Sequence, residues 1–256
     1  MSAGRRRCGA LCAAALALPA AAFESALEFG VQSHRLREKS ASGATLVTER
    51  GVAPLLAARL AHPLASDWSL RAAVSGWATR ARYDGQTQGG SAVESRTDSE
   101  ALVLEGALRR SLTPNAWIEG GVQVERFRRH IIGAGGASGL DERLTQPRWL
   151  LAAGWSDSTW SVALGARSGD RSRLDVRFDD GVFDRVRLAS GRARGWSLQA
   201  GRAVGGDWSI AAGLDVLSIG ASSTEPLVRG ARVAGTVTQP RWRCQSVSVG
   251  VQRVWR

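Results

Sequence analysis

Beyond its first 22 positions the chain holds one cysteine, Cys244. That excludes an internal disulfide in the remainder and any metal site built on paired thiolates. Nor does any apolar run there approach the length of a membrane-crossing helix, roughly 18 residues or more. Histidine is scarce, with only His34, His62 and His130, so few side chains are poised for general-base chemistry near neutral pH. Lysine is reduced to Lys39, and the formal net charge of +11 is carried almost entirely by arginine.

The first residues have their own character. Arg5, Arg6 and Arg7 precede an apolar stretch of about 15 residues, CGALCAAALALPAAA, which ends in Ala20, Ala21 and Ala22. A basic head, a short apolar core and small residues at the end form the pattern of a cleaved secretory signal peptide. The expectation is a signal at 1–22 and a mature chain at 23–256. Cys8 and Cys12 leave with the signal, and no lipobox precedes either. Export without disulfides fits a bacterial envelope protein better than a small stapled scaffold. About 234 mature residues suffice for one all-β domain. An exported chain with no recognition motif is not read as a nucleic-acid binder. Its arginines have two other uses: bidentate pairing with lipopolysaccharide phosphates at an outer rim, and pairing with Glu and Asp inside a barrel.

Four short turns recur, each followed by tryptophan: PLASDWSL at 63–70, SLTPNAWI at 111–118, WSDSTWSV at 155–162 and VGGDWSI at 204–210. Asp, Asn, Ser, Gly and Pro favour tight reversal. The expectation is a periplasmic girdle of Trp68, Trp117, Trp160 and Trp208, beside short turns. The complementary connections, near 39–44, 84–97, 133–144, 169–194 and 220–238, are longer and more polar. Between them, period-two alternation marks half-buried strands. Trp68, Leu70, Ala72 and Val74 oppose Ser69, Arg71 and Ser75; Leu102, Leu104 and Leu108 oppose Glu105 and Arg109. Val247, Val249, Val251 and Trp255 give the last strand the same apolar face, with Arg253 on it.

Counting reversals predicts ten strands, at about 26–38, 45–61, 68–83, 98–112, 116–132, 145–156, 159–178, 182–204, 207–220 and 239–255. The fold class is all-β: a single transmembrane antiparallel up-and-down barrel with short periplasmic turns and longer extracellular loops. Its lumen is expected to hold Glu28, Gln32, His34, Arg59, Arg71, Glu105, Arg109, Glu119, Gln123, Glu125, Arg167, Gln199 and Asp215, closed by Arg–carboxylate pairs. Arg126, Arg128 and Arg129 near the outer rim are candidate lipopolysaccharide contacts. Outer-membrane lipid and the barrel-assembly machinery are the expected partners, the latter because a terminal aromatic strand is similar to its insertion signal. Arg256 departs from the usual aromatic terminus. No metal or cofactor is read, and nothing indicates an oligomeric state.

A ten-stranded barrel with protruding hairpins resembles the omptin family of outer-membrane proteases. YDGQTQ and VESRTDSEALVLEGAL within 83–108 are similar to the omptin second-loop region and the strand after it. QPRWLLAAGWSDSTWSVALGARSGD at 146–170 is similar to the strand pair leading to its fourth loop. The resemblance implies an acidic pair facing an Asp–His dyad that together activate water. Asp84 stands near the first acid, but Gln86 occupies the place of the second. The opposite hairpin carries Asp170, Asp175, Asp179, Asp180 and Asp184 without a histidine. A relocated dyad would join His130 to Asp84 or Asp141. The reading is a non-enzymatic surface barrel, with a diverged endopeptidase and a small selective channel as alternatives.

Overall fold

The computed structural model describes residues 23–86 and 91–255. The signal-peptide expectation for 1–22 and the comment on Arg256 lie outside these residues. Fourteen strands follow in order: β1 (Glu24–Lys39), β2 (Thr45–Pro63), β3 (Trp68–Gln86), β4 (Ala92–Ser111), β5 (Ala116–Ile131), β6 (Leu140–Ser156), β7 (Trp160–Gly169), β8 (Arg173–Phe178), β9 (Val186–Ala189), β10 (Ala193–Gly205), β11 (Trp208–Ile219), β12 (Thr224–Arg229), β13 (Arg232–Thr238) and β14 (Arg241–Trp255).

Ten of them close on themselves. β1 to β7 pair in sequence, β7 pairs β10, β10 pairs β11, β11 pairs β14, and β14 returns to β1, every pairing antiparallel. Closure leaves no unpaired edge in the wall. At the closing seam Gly30 lies opposite Gly250. A Cβ on Gly30 would stand 2.6 Å from the Val249 carbonyl oxygen, so the seam needs glycine there.

One end of the barrel is made of tight turns. The Asp157 carboxylate accepts from the backbone N–H groups of Thr159 and Trp160, each at 2.7 Å. Those bonds hold its carboxyl below the usual range. Gly206, at φ +55, makes the two-residue reversal between β10 and β11. Both ends of the described chain lie at this turn end, because Ser25 pairs with Trp255.

Side chains alternate strictly. Outward faces form an apolar belt, including Phe29, Leu56, Leu104, Leu151, Leu164, Val249 and Ile210, all exposed. Trp68, Trp155, Trp160, Trp208 and Trp255 edge that belt at the turn end. Arg253 shares their face and lies over the rings of Trp208 and Trp255, at 5.6 and 5.1 Å. Trp117 corrects the girdle expectation. It shares the parity of buried Glu119 and so faces the lumen, with the Arg109 guanidinium 3.4 Å above its ring.

The other end is built of hairpins, and the strands run further into it than expected. β3 reaches Gln86 and β4 begins at Ala92; β6 begins at Leu140. Most of the loop assigned to 84–97, and the 140–144 end of that assigned to 133–144, is therefore ladder, because polar residues pair readily once a neighbouring strand is in place. The long strands expected at 159–178 and 182–204 are each broken. β7 leaves the wall after Gly169, and β8 pairs with Leu140–Leu144 of β6. Gln146 fills the break, its Nε2 donating to the Asp170 carbonyl at 3.3 Å. The span 220–238 holds a hairpin, β12–β13, where a loop was expected.

These hairpins carry an apolar core into the barrel mouth. Leu174, Val176, Val186 and Leu188 of β8–β9 and Leu227 of β12 pack with Leu36, Phe127, Leu144, Leu217 and Trp242 of the wall. Leu104→Arg, in the middle of the belt, is expected to cost about 2–4 kcal/mol by chemical denaturation in lipid vesicles. Leu174→Ala is expected to cost about 2–5 kcal/mol in the same assay.

Candidate functional site

Chemistry concentrates in three places: the turn-end lumen, the hairpin-end lumen and the outer wall beyond the apolar belt. In the turn-end lumen the Arg59 Nη1 donates to Glu28 Oε2 at 2.6 Å. Glu119 Oε2 accepts from both Arg71 and Arg109 at 2.9 Å. Arg148 pairs with Glu125 and Arg167 with Asp215. Glu105 shares this face, half-buried and, among the described residues, without a direct ion pair. Gln32 and Gln123 are buried beside it, and His34 Nδ1 lies 3.2 Å from Ser246 Oγ with its ring 4.7 Å from Trp77. Arg148 was missed by sequence reasoning, although its alternation with outward Pro147 and Trp149 marks it as inward.

Arg129 corrects the outer-rim assignment. It is 0% exposed, pointing into the lumen on the face of Gln123 and Phe127, while Arg126 and Arg128 point outward. Its guanidinium meets Glu38 at 2.5 Å, Glu49 at 2.8 Å and Glu142 at 3.0 Å. Thr97 donates to Glu49 at 2.9 Å and Gln239 to Glu38 at 3.1 Å. One cation among three buried carboxylates ties β1, β2, β5 and β6 together beside the apolar core, one pleat nearer the hairpin end than Leu36, Phe127 and Leu144.

The expected dyads do not form. His130 is directly opposite Asp141, but Asp141 bonds Arg128 at 2.7 Å and Arg143 at 3.0 Å. Asp84 bonds Arg82 at 3.0 Å. His130 Nε2 instead lies 2.7 Å from Asp179 in the turn after β8. This pair stands on the outer wall, with side chains 36% and 42% exposed, not in a cleft. Ser138, close by, spends its hydroxyl on Asp180. A His–Asp pair can move a proton, yet among the described residues no nucleophile is hydrogen-bonded to this one.

The base of β8–β9 carries an electrostatic clamp. Asp175 is met by Arg173 and Arg185 at 3.0 Å and by Arg187 at 3.6 Å. Burial opposes its ionisation, but the arginines outweigh burial and hold its carboxyl below the usual range.

No protein-family model and no curated protein matches this chain. Solved structures do. The outer membrane protease OmpT of Escherichia coli superposes with a TM-score of 0.58 at 12% identity, covering 91% of this chain and 96% of OmpT. The translocator domain of the autotransporter NalP of Neisseria meningitidis gives 0.48 at 10% identity, covering 90% and 88%. An outer membrane channel of Pseudomonas putida F1 gives 0.43 at 10% identity, covering 93% and 97%. The fold is thus that of an omptin-like ten-stranded barrel.

Replacing Arg129 with methionine leaves three buried carboxylates without their cation. The expected loss is about 3–5 kcal/mol near neutral pH. The loss shrinks on acidification, since the variant's native state then neutralises the carboxylates by taking up protons. Denaturation at pH 8 and pH 5 checks the sign. The Asp175 carboxyl lies below its unfolded value, so its contribution is present above about pH 4 and fades as pH falls further. Hydrogen exchange in β8–β9 is expected to rise below that pH, and Asp175→Asn to show the fast exchange already at pH 7.

Proposed function

We propose that the protein is an exported outer-membrane barrel, released from a signal peptide at 1–22, that acts through its outer surface. It is neither a peptidase nor a pore in this reading. The carrying observation is the sealed hairpin end. Leu174, Val176, Val186 and Leu188 fill the space in which an open cleft or channel mouth would lie. The turn end then faces the periplasm, and the hairpins β8–β9 and β12–β13 face outside, where they meet lipopolysaccharide or other envelope partners. The barrel-assembly machinery would insert it, reading β14.

Likeness in fold to a protease does not bring the reaction with it. Asp84 is engaged by Arg82, position 86 is glutamine, and the one His–Asp pair near the hairpins faces away from the barrel axis. A second reading, a rebuilt hydrolase, is favoured by that pair alone. Refolded protein in vesicles, checked for heat-modifiable gel mobility, separates the readings. No cleavage of a fluorogenic peptide library and no conductance in planar bilayers are expected. Cleavage lost in His130→Ala would establish the hydrolase; steady conductance of the wild type would establish the channel.

A further inference from the structure

The outer wall beyond the belt differs from one side of the barrel to the other. Across β3 to β6 most of its charges find partners within the wall, although Arg96, directly opposite Arg82, and Arg126 make no ion pair among the described residues. Arg80 bonds Asp98 at 2.7 Å, and Arg128 and Arg143 share Asp141. Across β14, β1 and β2 they do not. Register places Arg35 directly opposite Arg50, and Arg37 directly opposite Arg243. Arg50 in turn lies opposite Arg82, which is the first of the row to find acids, Asp84 and Glu94, at 3.0 and 3.1 Å. Among the described residues Arg35, Arg37, Arg50 and Arg243 make no ion pair. Their other outward neighbours include the neutral Ser33, Thr48, Gln245 and Ser218 and the cations Lys39 and Arg241, which lie opposite each other; none of these is an acid. The Nε of Arg35 is closed off from solvent and has no acceptor.

Like charges directly opposite on adjacent strands destabilise a sheet. Two such pairs side by side, with a guanidinium N–H shut from water, are relieved by an anion lying between them. Their height names the anion. Arg50 follows Val52 by one pleat, and Arg35 and Arg243 follow Val31 and Val247 by two, each pleat advancing about 7 Å. Those valines are 67%, 53% and 57% exposed and continuous with the apolar belt below. A ligand that lays acyl chains on the belt and lifts phosphates to this height satisfies both surfaces, and guanidinium–phosphate pairing is bidentate.

We propose that Arg35–Arg50 and Arg37–Arg243 form a seat for a phosphate-bearing glycolipid of the outer leaflet, each arginine pair taking one phosphate. This rests on the outer-membrane reading above and gives it a defined partner and place. The seat lies on the wall away from Arg126 and Arg128, the arginines marked for such contacts by sequence, one of which the wall already neutralises.

The refolded barrel in detergent is titrated with bisphosphorylated lipid A, with the same lipid dephosphorylated, and with inorganic pyrophosphate, followed by native mass spectrometry. Wild type is expected to bind the bisphosphorylated lipid about tenfold or more tighter than the dephosphorylated one. Arg35→Gln/Arg50→Gln and Arg37→Gln/Arg243→Gln are each expected to lose about tenfold, and Arg80→Gln/Arg128→Gln to change by less than about twofold. Without lipid the first two variants are expected to melt at or above the wild-type temperature, since like-charge pairs have been removed; that keeps a binding loss distinct from misfolding. Equal binding by the variants, or indifference to the phosphates, overturns the seat. Pyrophosphate binding as tightly as the glycolipid assigns the arginines to a soluble anion and also overturns it. Conductance or peptide cleavage by the wild type would sink the surface-barrel reading and leave the seat standing.

Discussion

Every structural feature described above depends on the closed backbone ladder. A wall whose outer face is apolar along its middle offers no water to its peptide groups, so each N–H and C=O must find its partner in a neighbouring strand. Ten strands meet this by pairing β14 with β1. Closure also brings the backbones so near at the seam that Gly30 and Gly250 leave no room for a Cβ. Once the ladder is closed, each residue is assigned to the inside or the outside by parity alone.

That assignment sorts the arginines, which dominate the charge of the chain. Inward ones must be paired, because a lone cation in a narrow lumen is costly to desolvate. Arg59, Arg71, Arg109, Arg148, Arg167 and Arg129 all meet carboxylates. The lumen is therefore filled by two materials. Ion pairs occupy the turn half, and an apolar core borrowed from β8–β9 and β12–β13 occupies the hairpin half, with the Arg129 cluster beside it. Outward arginines stand at the two ends of the belt: at the turn end Arg110, Arg202 and Arg253 lie over tryptophan rings, and toward the hairpin end solvent, acids of the same wall or ligands must answer them.

The same sorting explains how a fold shared with a protease supports a different reading. Catalysis at a cleft needs converging groups and an open approach. Here the approach is filled with leucine and valine, and Asp84, Asp141 and Asp175 are bound by arginine. His130 and Asp179 do meet, on a surface that encloses nothing. The hairpin end carries an apolar core inside and charged side chains outside.

The local period of two was legible in the sequence, because alternation needs nothing beyond the strand that carries it. Strand count, the short turns, the apolar faces of β3, β4 and β14 and most lumen residues followed from it. Arg129 was legible by the same parity as Gln123 and Glu125, and was misplaced only when grouped with Arg126 and Arg128 by charge. Trp117 was misplaced in the same way, by grouping tryptophans according to turn instead of face. What no local pattern contains is register. Which residue lies opposite which is set by how ten strands slide against one another while closing, and it alone put Arg35 against Arg50, gathered Glu38, Glu49 and Glu142 around Arg129, and delivered Asp179 to His130. The chain itself determined which side chains face in and which face out, since pleating is a property of the strand. Only the closed barrel decided which of them meet, since contact across strands is a property of the ladder.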